Sequence, residues 1–396
     1  MSTILLASFV AGSLALAVFT AVGYPALLRA RARGRRSPID ATLASADAAR
    51  AAGMHVKLPR VTAVVATRDV PSTILERVRD LRAGEYPQDR LEVVVAVDAS
   101  GPYPASTYAT VLGTEARVVV GDAPGGKSAA LNAGVRAASG DILLFVDSAQ
   151  RFAPSVIRDL VTAVHAPGVG AVTGVIAPAA DDPLLDRYWQ YELRLRRDQA
   201  AVHSIICVSG AVYVMRRALW RAMPSRLICD DLFATTQVIL QGWRVVICER
   251  AIATDPREFT REQHFRRKVR TLTGLVQLCA WTPEILLPWR NAIWIDFVVH
   301  KLTRVLLPYL GLIAVICSAW LTLRVANAAL LWPAGVAAAV LAAGVAALRP
   351  RITRDVAWAI KLSTAPVIAL LNAVRGRWEV WQPSAPLPTY ATDRSS

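Results

Sequence analysis

From Ile4 to Leu28 the chain carries no charged residue and is almost wholly apolar. In a bilayer such a run has one stable form, a helix that pairs every backbone polar group internally, and this one is long enough to cross. A cleaved signal peptide would need a positive n-region and a shorter apolar stretch, and neither is present. Arg29, Arg31, Arg33, Arg35 and Arg36 follow at once. Clustered positive charge marks the cytoplasmic end of a membrane helix. The N-terminus is therefore expected outside the plasma membrane and the next part of the chain in the cytosol.

Composition agrees with this division. The chain has 396 residues and is 54% apolar, with a mean hydropathy of +0.37, and the excess gathers at its two ends. The net charge of +15 comes largely from Arg clusters beside apolar segments. Topology and anionic membrane lipids account for it, and no nucleic-acid-binding motif accompanies it. Cys207, Cys229, Cys248, Cys279 and Cys317 form no Cys-x-x-Cys pair, so reduced thiols are expected.

Between the apolar ends the sequence alternates. Strands are expected at Val61–Ala66, Leu91–Val97, Ala116–Val120, Ile142–Val146, Val169–Ile176, Ile205–Met215 and Arg244–Cys248. Helical spacing falls at 72–81 with Ser72 as N-cap, at 128–138, 184–197, 231–240 and, very basic, 259–272. This rhythm predicts an α/β domain, Rossmann-like, with a mostly parallel mixed sheet. The organisation read is a membrane helix and basic flank (1–36), an Ala-rich linker able to form an amphipathic surface helix (37–60), the α/β domain (61–272), interfacial helices (273–304), transmembrane helices (305–375) and a tail (376–396). Within 305–375, Val305–Leu323 and Ala328–Leu348 read as spans, and Val356–Val374 as a third candidate, weakened by Lys361 and Pro366, that either spans, re-enters or lies along the surface.

Asp98 and Asp147 end apolar strands, and Asp230 and Asp231 open a helix. Each alone is more often a cap. Gathered at the carboxyl rim of one sheet, such carboxylates can hold a metal, a ribose hydroxyl or an acceptor's proton. Gly125-Gly126-Lys127 runs into a helix without the spacing of a P-loop, and still favours an anionic ligand.

In this order the motifs resemble the membrane-bound family 2 glycosyltransferases of GT-A fold, the group of cellulose, hyaluronan and poly-N-acetylglucosamine synthases. The resemblance covers roughly residues 61–301 and the flanking membrane helices. It implies that Thr67 and Arg68 contact the nucleotide, that Asp98 holds its uridine part, and that Lys127 and Asn132 belong to an element beneath it. Asp147 would bind Mg2+ or Mn2+, Asp231 would be the catalytic base with Asp230 beside it, and Ser209 and Gly210 would lie on the acceptor side. Gln263 and Arg266 match a Gln-x-x-Arg-Trp element in which Arg266 stabilises the departing diphosphate. Ala149 stands where the family has a second metal-binding Asp or Asn, and Arg267 where processive members have Trp.

The activity implied is inverting, metal-dependent transfer from a nucleotide sugar, with UDP as the expected nucleotide, to a glycan or lipid-linked acceptor. A glycolipid transferase and a catalytically degenerate scaffold serving secretion-complex partners are the competing readings. A transporter is disfavoured, because the apolar helices carry few of the charges that mark a solute path.

Overall fold

The structure, a computed structural model, describes residues 3–54, 57–177, 183–257, 259–325 and 350–378. Its strands are β1 (Val61–Thr67), β2 (Leu91–Val97), β3 (Arg117–Val120), β4 (Ile142–Val146), β5 (Arg151–Phe152), β6 (Val169–Ala177), β7 (Val212–Arg216) and β8 (Arg244–Thr254). They form one sheet in the order β3-β2-β1-β4-β7-β6-β8-β5. β1 is parallel to β2 and β4, and β7 runs antiparallel to β4 and β6. β1, β4 and nearly all of β2 are buried, so helices cover both faces and the strands are predominantly apolar, rich in Val, Ala and Leu.

The α-helices up to Trp281 are α1 (Thr3–Val18), α2 (Tyr24–Ala32), α3 (Asp40–Ala51), α4 (Pro71–Arg82), α5 (Ala105–Leu112), α6 (Lys127–Ala137), α7 (Val156–Val164), α8 (Pro183–Val202), α9 (Asp230–Leu240) and α10 (Arg261–Trp281). α6 lies close on the sheet because Gly134 has no side chain: a Cβ there would stand 2.6 Å from Val64 Cγ1.

In register, Thr67 pairs with Val97 and Val65 with Val146. β1 therefore stands between the strand that ends at Asp98 and the strand that ends at Asp147. From β1 the chain steps to β2 and β3 on one side and to β4 on the other, so the crevice at its carboxyl end is a topological switch point, where open α/β sheets bind ligands.

Several expectations need correction. Val70, not Ser72, precedes α4, whose first residue is Pro71, pre-set for a helix start. Of the strand expected over 205–215 only β7 forms. Before it, the backbone amides of Val208 and Ser209 donate to the Thr235 and Thr173 hydroxyls instead of a strand ladder. α3 docks on the α/β domain, with Ile39 and Leu43 in the main core and Asp47 paired to Arg250 at 2.6 Å. α10 passes unbroken through the expected boundary at 272. The segment 297–304, read as a separate interfacial piece, is a π-helix (Phe297–Thr303) continuous with the helix Arg304–Val325.

Among the described residues, three helices are long and apolar enough to cross a membrane: Thr3–Ala32, Trp294–Leu323 and Thr353–Val374. The span expected at 328–348 lies outside the described residues. The first two meet where the Tyr24 hydroxyl donates to Asp296 at 2.7 Å, and Gln199 of α8 donates to the same hydroxyl at 3.0 Å. Glu192 of α8 receives Arg304 at 2.8 Å. These two apolar helices thus connect to the α/β domain through α8.

Candidate active site

A cavity of about 390 Å³ opens at the carboxyl ends of β1 and β2, within the range of small-ligand sites. Arg68, Asp98 and Lys127 line it, together with the loop Arg226–Ile228 and Arg270. Asp98 is almost fully buried. Its Oδ1 accepts from the Gly126 amide at 2.7 Å and from the Ser100 amide at 3.1 Å, which ties the glycine turn to the end of β2. Gly125 has φ +97°, and a Cβ there would lie 2.7 Å from Asp98 Oδ1. The turn exists in this form because that residue has no side chain.

Lys127, the first residue of α6, reaches from the cavity into the carboxylate cluster. Its Nζ lies 3.0 Å from Asp147 Oδ1 and 3.1 Å from Asp230 Oδ2. Burial opposes its charge, but the two carboxylates outweigh burial and raise its pKa. Burial likewise pushes against an ionised Asp147, and Lys127 overrides it, holding Asp147 below the ordinary carboxylate range. Asp231 goes the other way: burial, and then the neighbouring Asp230, raise its pKa. Two groups of one chemistry are thereby set apart, one kept ionised and one tuned to accept a proton. A Cβ on Gly210 would come 3.5 Å from Asp231 Oδ2, so the loop before β7 lies directly against this carboxylate.

Other candidates have structural partners. Thr67 is buried and its hydroxyl accepts from the Asp69 amide at 3.0 Å. Ser148 donates to Asp69, linking the ends of β4 and β1. Asn132 brackets Met223, with its Nδ2 on the carbonyl and its Oδ1 on the amide, each at 2.9 Å. Gln263 completes a capping box with Thr260 at the start of α10. The structure does not bring Arg266 to the cavity: its side chain is 69% exposed and sits 3.5 Å from Glu262. One turn on, Arg270 lines the cavity instead. Arg267 lies 4.1 Å over the Phe259 ring.

Two groups went unassigned on sequence. Arg257 pairs with the buried Asp255 at 2.8 Å and adds positive potential at Asp147. Tyr213, stacked on Phe145 at 4.7 Å, is 1% exposed, and its hydroxyl has no hydrogen-bond partner among the described residues. The only advance signal for Tyr213 was its place two residues past Ala211 on the acceptor-side strand.

The donor set at Asp147 bears on metal binding. Oδ1 is held by Lys127, whereas Oδ2 takes no hydrogen bond among the described residues. Ala149 is buried and offers no ligand. No group of three or more His, Cys, Asp or Glu able to hold a metal occurs among the described residues. One carboxylate fits an ion that is otherwise held by substrate phosphates and water.

A family model described as "Glycosyltransferase like family 2" matches residues 59–279. An N-acetylglucosaminyltransferase of Bradyrhizobium diazoefficiens is 29% identical over 163 residues, 37% of this chain and 33% of that protein. One from Sinorhizobium fredii is 30% identical over 146 residues, 32% of this chain and 35% of its own. The similarity thus spans about a third of these relatives' length. Among solved structures, a mannosyltransferase from Pyrobaculum calidifontis in complex with GDP-Man and Mn2+ superposes with a TM-score of 0.64 at 19% identity, covering 93% of this chain and 99% of that one.

Proposed function

The chain belongs to glycosyltransferase-like family 2, and from that premise we propose that it is an inverting, metal-dependent membrane glycosyltransferase. It moves a sugar from a nucleotide sugar, with UDP as the nucleotide, to a glycan acceptor at the membrane. The rhizobial relatives' name favours an N-acetylhexosaminyl group. The observation that carries the reading is Lys127, which joins the cavity of Asp98 and Arg68 to the carboxylates Asp147 and Asp230.

In this reading the nucleoside occupies the cavity and its diphosphate runs toward Lys127 and Arg270. Asp231 takes the proton of the acceptor hydroxyl. The acceptor oxygen forms a bond to the anomeric carbon as the bond from that carbon to the diphosphate oxygen breaks, with inversion and no covalent enzyme intermediate. Lys127 and Arg270 offset the charge that gathers on the leaving diphosphate. A divalent ion, Mg2+ or Mn2+, would be held by Asp147 and would supply further charge neutralisation at that diphosphate. The Arg cluster that begins in the last turn of α2 supports a cytosolic α/β domain.

A lipid-linked acceptor is the second reading. Arg267 favours it, since a guanidinium on Phe259 stands where a processive enzyme stacks its growing chain. A donor screen on purified protein in lipid nanodiscs, with product masses read by mass spectrometry, tests both. A polysaccharide ladder supports the first acceptor and a single lipid-bound sugar the second. Absence of nucleotide release from every donor, with and without metal, contradicts the enzyme and leaves the scaffold reading.

A further inference from the structure

Besides the strand ends and the glycine turn, the cavity is lined by the loop Arg226–Ile228, by Arg270 of α10 and by Trp378. On α10, Arg270, Gly274, Gln277 and Trp281 recur at three- and four-residue intervals and so form one stripe. Arg270 lines the cavity directly. Gly274 lets the helix close on Cys229, whose Sγ would be 2.3 Å from a Cβ there. Gln277 is fully buried and clamps the cavity loop, donating to the Arg226 carbonyl at 3.0 Å and accepting from the Ile228 amide at 2.9 Å. That loop holds Arg226 at φ +62°, a conformation side chains seldom adopt and one that concentrates at ligand sites. Trp281 meets Trp378 edge to face, with ring centroids 5.8 Å apart, and Trp378 completes the cavity wall.

Trp378 comes from the far end of the chain, yet its place is set by docking. The helix Ala365–Val374 buries Ala365 and Ala369. Arg261 and Glu262 at the start of α10 pair with Asp355 at 2.7 Å and Lys361 at 2.6 Å, and Phe265 packs edge-on against Trp358. The helices Pro350–Ser363 and Ala365–Val374 are thereby held along α10, and Trp378 just after them reaches the mouth of the cavity.

The geometry points to Trp378 as a donor-binding residue, whose indole stacks on the nucleobase of the nucleotide sugar while Asp98 and Arg68 hold the nucleoside. The inference rests on the reading of this cavity as a nucleotide site. An aromatic plane suits this task because every base offers a π-face, and removing such a platform commonly costs a base-stacking site about 10-fold or more in affinity. The sugar and acceptor chemistry at Asp231 lies beyond Lys127, so loss of the ring acts on donor binding more than on the chemical step.

The test compares full-length wild type, Trp378→Phe and Trp378→Ala in nanodiscs for binding of UDP and of inorganic pyrophosphate. The expected result is a UDP Kd about 10- to 100-fold weaker in Trp378→Ala and nearly restored in Trp378→Phe, with pyrophosphate binding unchanged and the donor KM rising more than kcat falls. Equal UDP binding by wild type and Trp378→Ala overturns the inference, as does equal weakening of UDP and pyrophosphate, which marks a structural role for the ring. If wild type binds no nucleoside diphosphate, the nucleotide-site reading itself fails. That outcome is distinct from the first two, in which wild type binds.

Discussion

The Lys127 ammonium lies 3.0 Å from the Asp147 carboxylate, joining the first turn of α6 to the end of β4. The same ammonium is 3.1 Å from Asp230, so one cation organises carboxylates from two separate elements. Replacing it leaves the buried Asp230 and the partly exposed Asp147 without their nearest counter-charge. Solvent screens Asp147, so we expect Lys127→Met to lower stability by roughly 1–2 kcal/mol and to abolish transfer. A thermal melt alongside a nucleotide-release assay checks both. The pair also has an acid limit. Asp147 titrates below its unfolded value, so its contribution is present above about pH 3.9 and is lost as pH falls through the lower, folded value. The acid destabilisation of wild type should be smaller in Lys127→Met.

Asp231 is raised by burial and by Asp230. As general base it must be ionised, so the acid limb of kcat/KM should lie above the ordinary carboxylate value of about 3.9. Above its folded pKa an ionised Asp231 is disfavoured in the native state, so it costs stability at neutral pH. Asp231→Asn should therefore melt higher than wild type near pH 7 while turning over about 100- to 10,000-fold more slowly. A variant that melts no higher shows that the carboxylate is not under the strain described.

Arg270 and Arg266 separate the observed geometry from the motif match. Arg270 lines the cavity, and Arg266 is exposed beside Glu262. Arg270→Ala should reduce kcat by about 100-fold, the usual effect of losing one donor to a developing anion. Arg266→Ala should change it only a few-fold. Steady-state kinetics on the two variants decide the assignment, and a larger loss at Arg266 reverses it.

Gly125→Ala brings a Cβ to 2.7 Å from Asp98 Oδ1 and places Ala at φ +97°. Strain of about 1–3 kcal/mol follows, and the glycine turn must pull away from Asp98. Donor KM should rise about 10-fold or more with a smaller effect on kcat, measured by varying the nucleotide sugar at saturating acceptor.

Tyr213→Phe removes a hydroxyl that is buried without a hydrogen-bond partner among the described residues, while the ring keeps its stack on Phe145. The melting temperature should rise, with a gain of about 1 kcal/mol. A fall shows that the hydroxyl is satisfied by a bound group.

Asp98 and Asp147 were legible because each follows a strand buried on both faces, which writes itself as an unbroken apolar run and stops abruptly. Lys127 was legible from the glycine turn before it, although its carboxylate partners were not, since Asp147 follows β4 and Asp230 opens α9, and only the folded chain brings them to one ammonium. The differences between motif and geometry share one cause. Which residue of a helix faces a site depends on what the helix docks against. The Gln-x-x-Arg spacing singled out Arg266, but docking on Cys229 at Gly274 turns Arg270 inward. Likewise α3 has an amphipathic pattern that suits a lipid surface, and its apolar side packs into the domain core through Ile39 and Leu43. Trp378 carried no signal at all: it stands 280 positions from Asp98 and reaches the same cavity only through the docked C-terminal helix.

The central claim is that Asp231 serves a nucleotide-sugar transfer site organised by Lys127 and Asp147. Its most direct measurement is release of nucleoside diphosphate by full-length wild type and by Asp231→Asn, with a panel of UDP-sugars, Mg2+ or Mn2+ and a membrane acceptor extract. The account predicts release by wild type with a matching sugar-mass gain on the acceptor, and at least a 100-fold loss in the variant. Equal turnover by the two proteins, or no release from any donor, contradicts it.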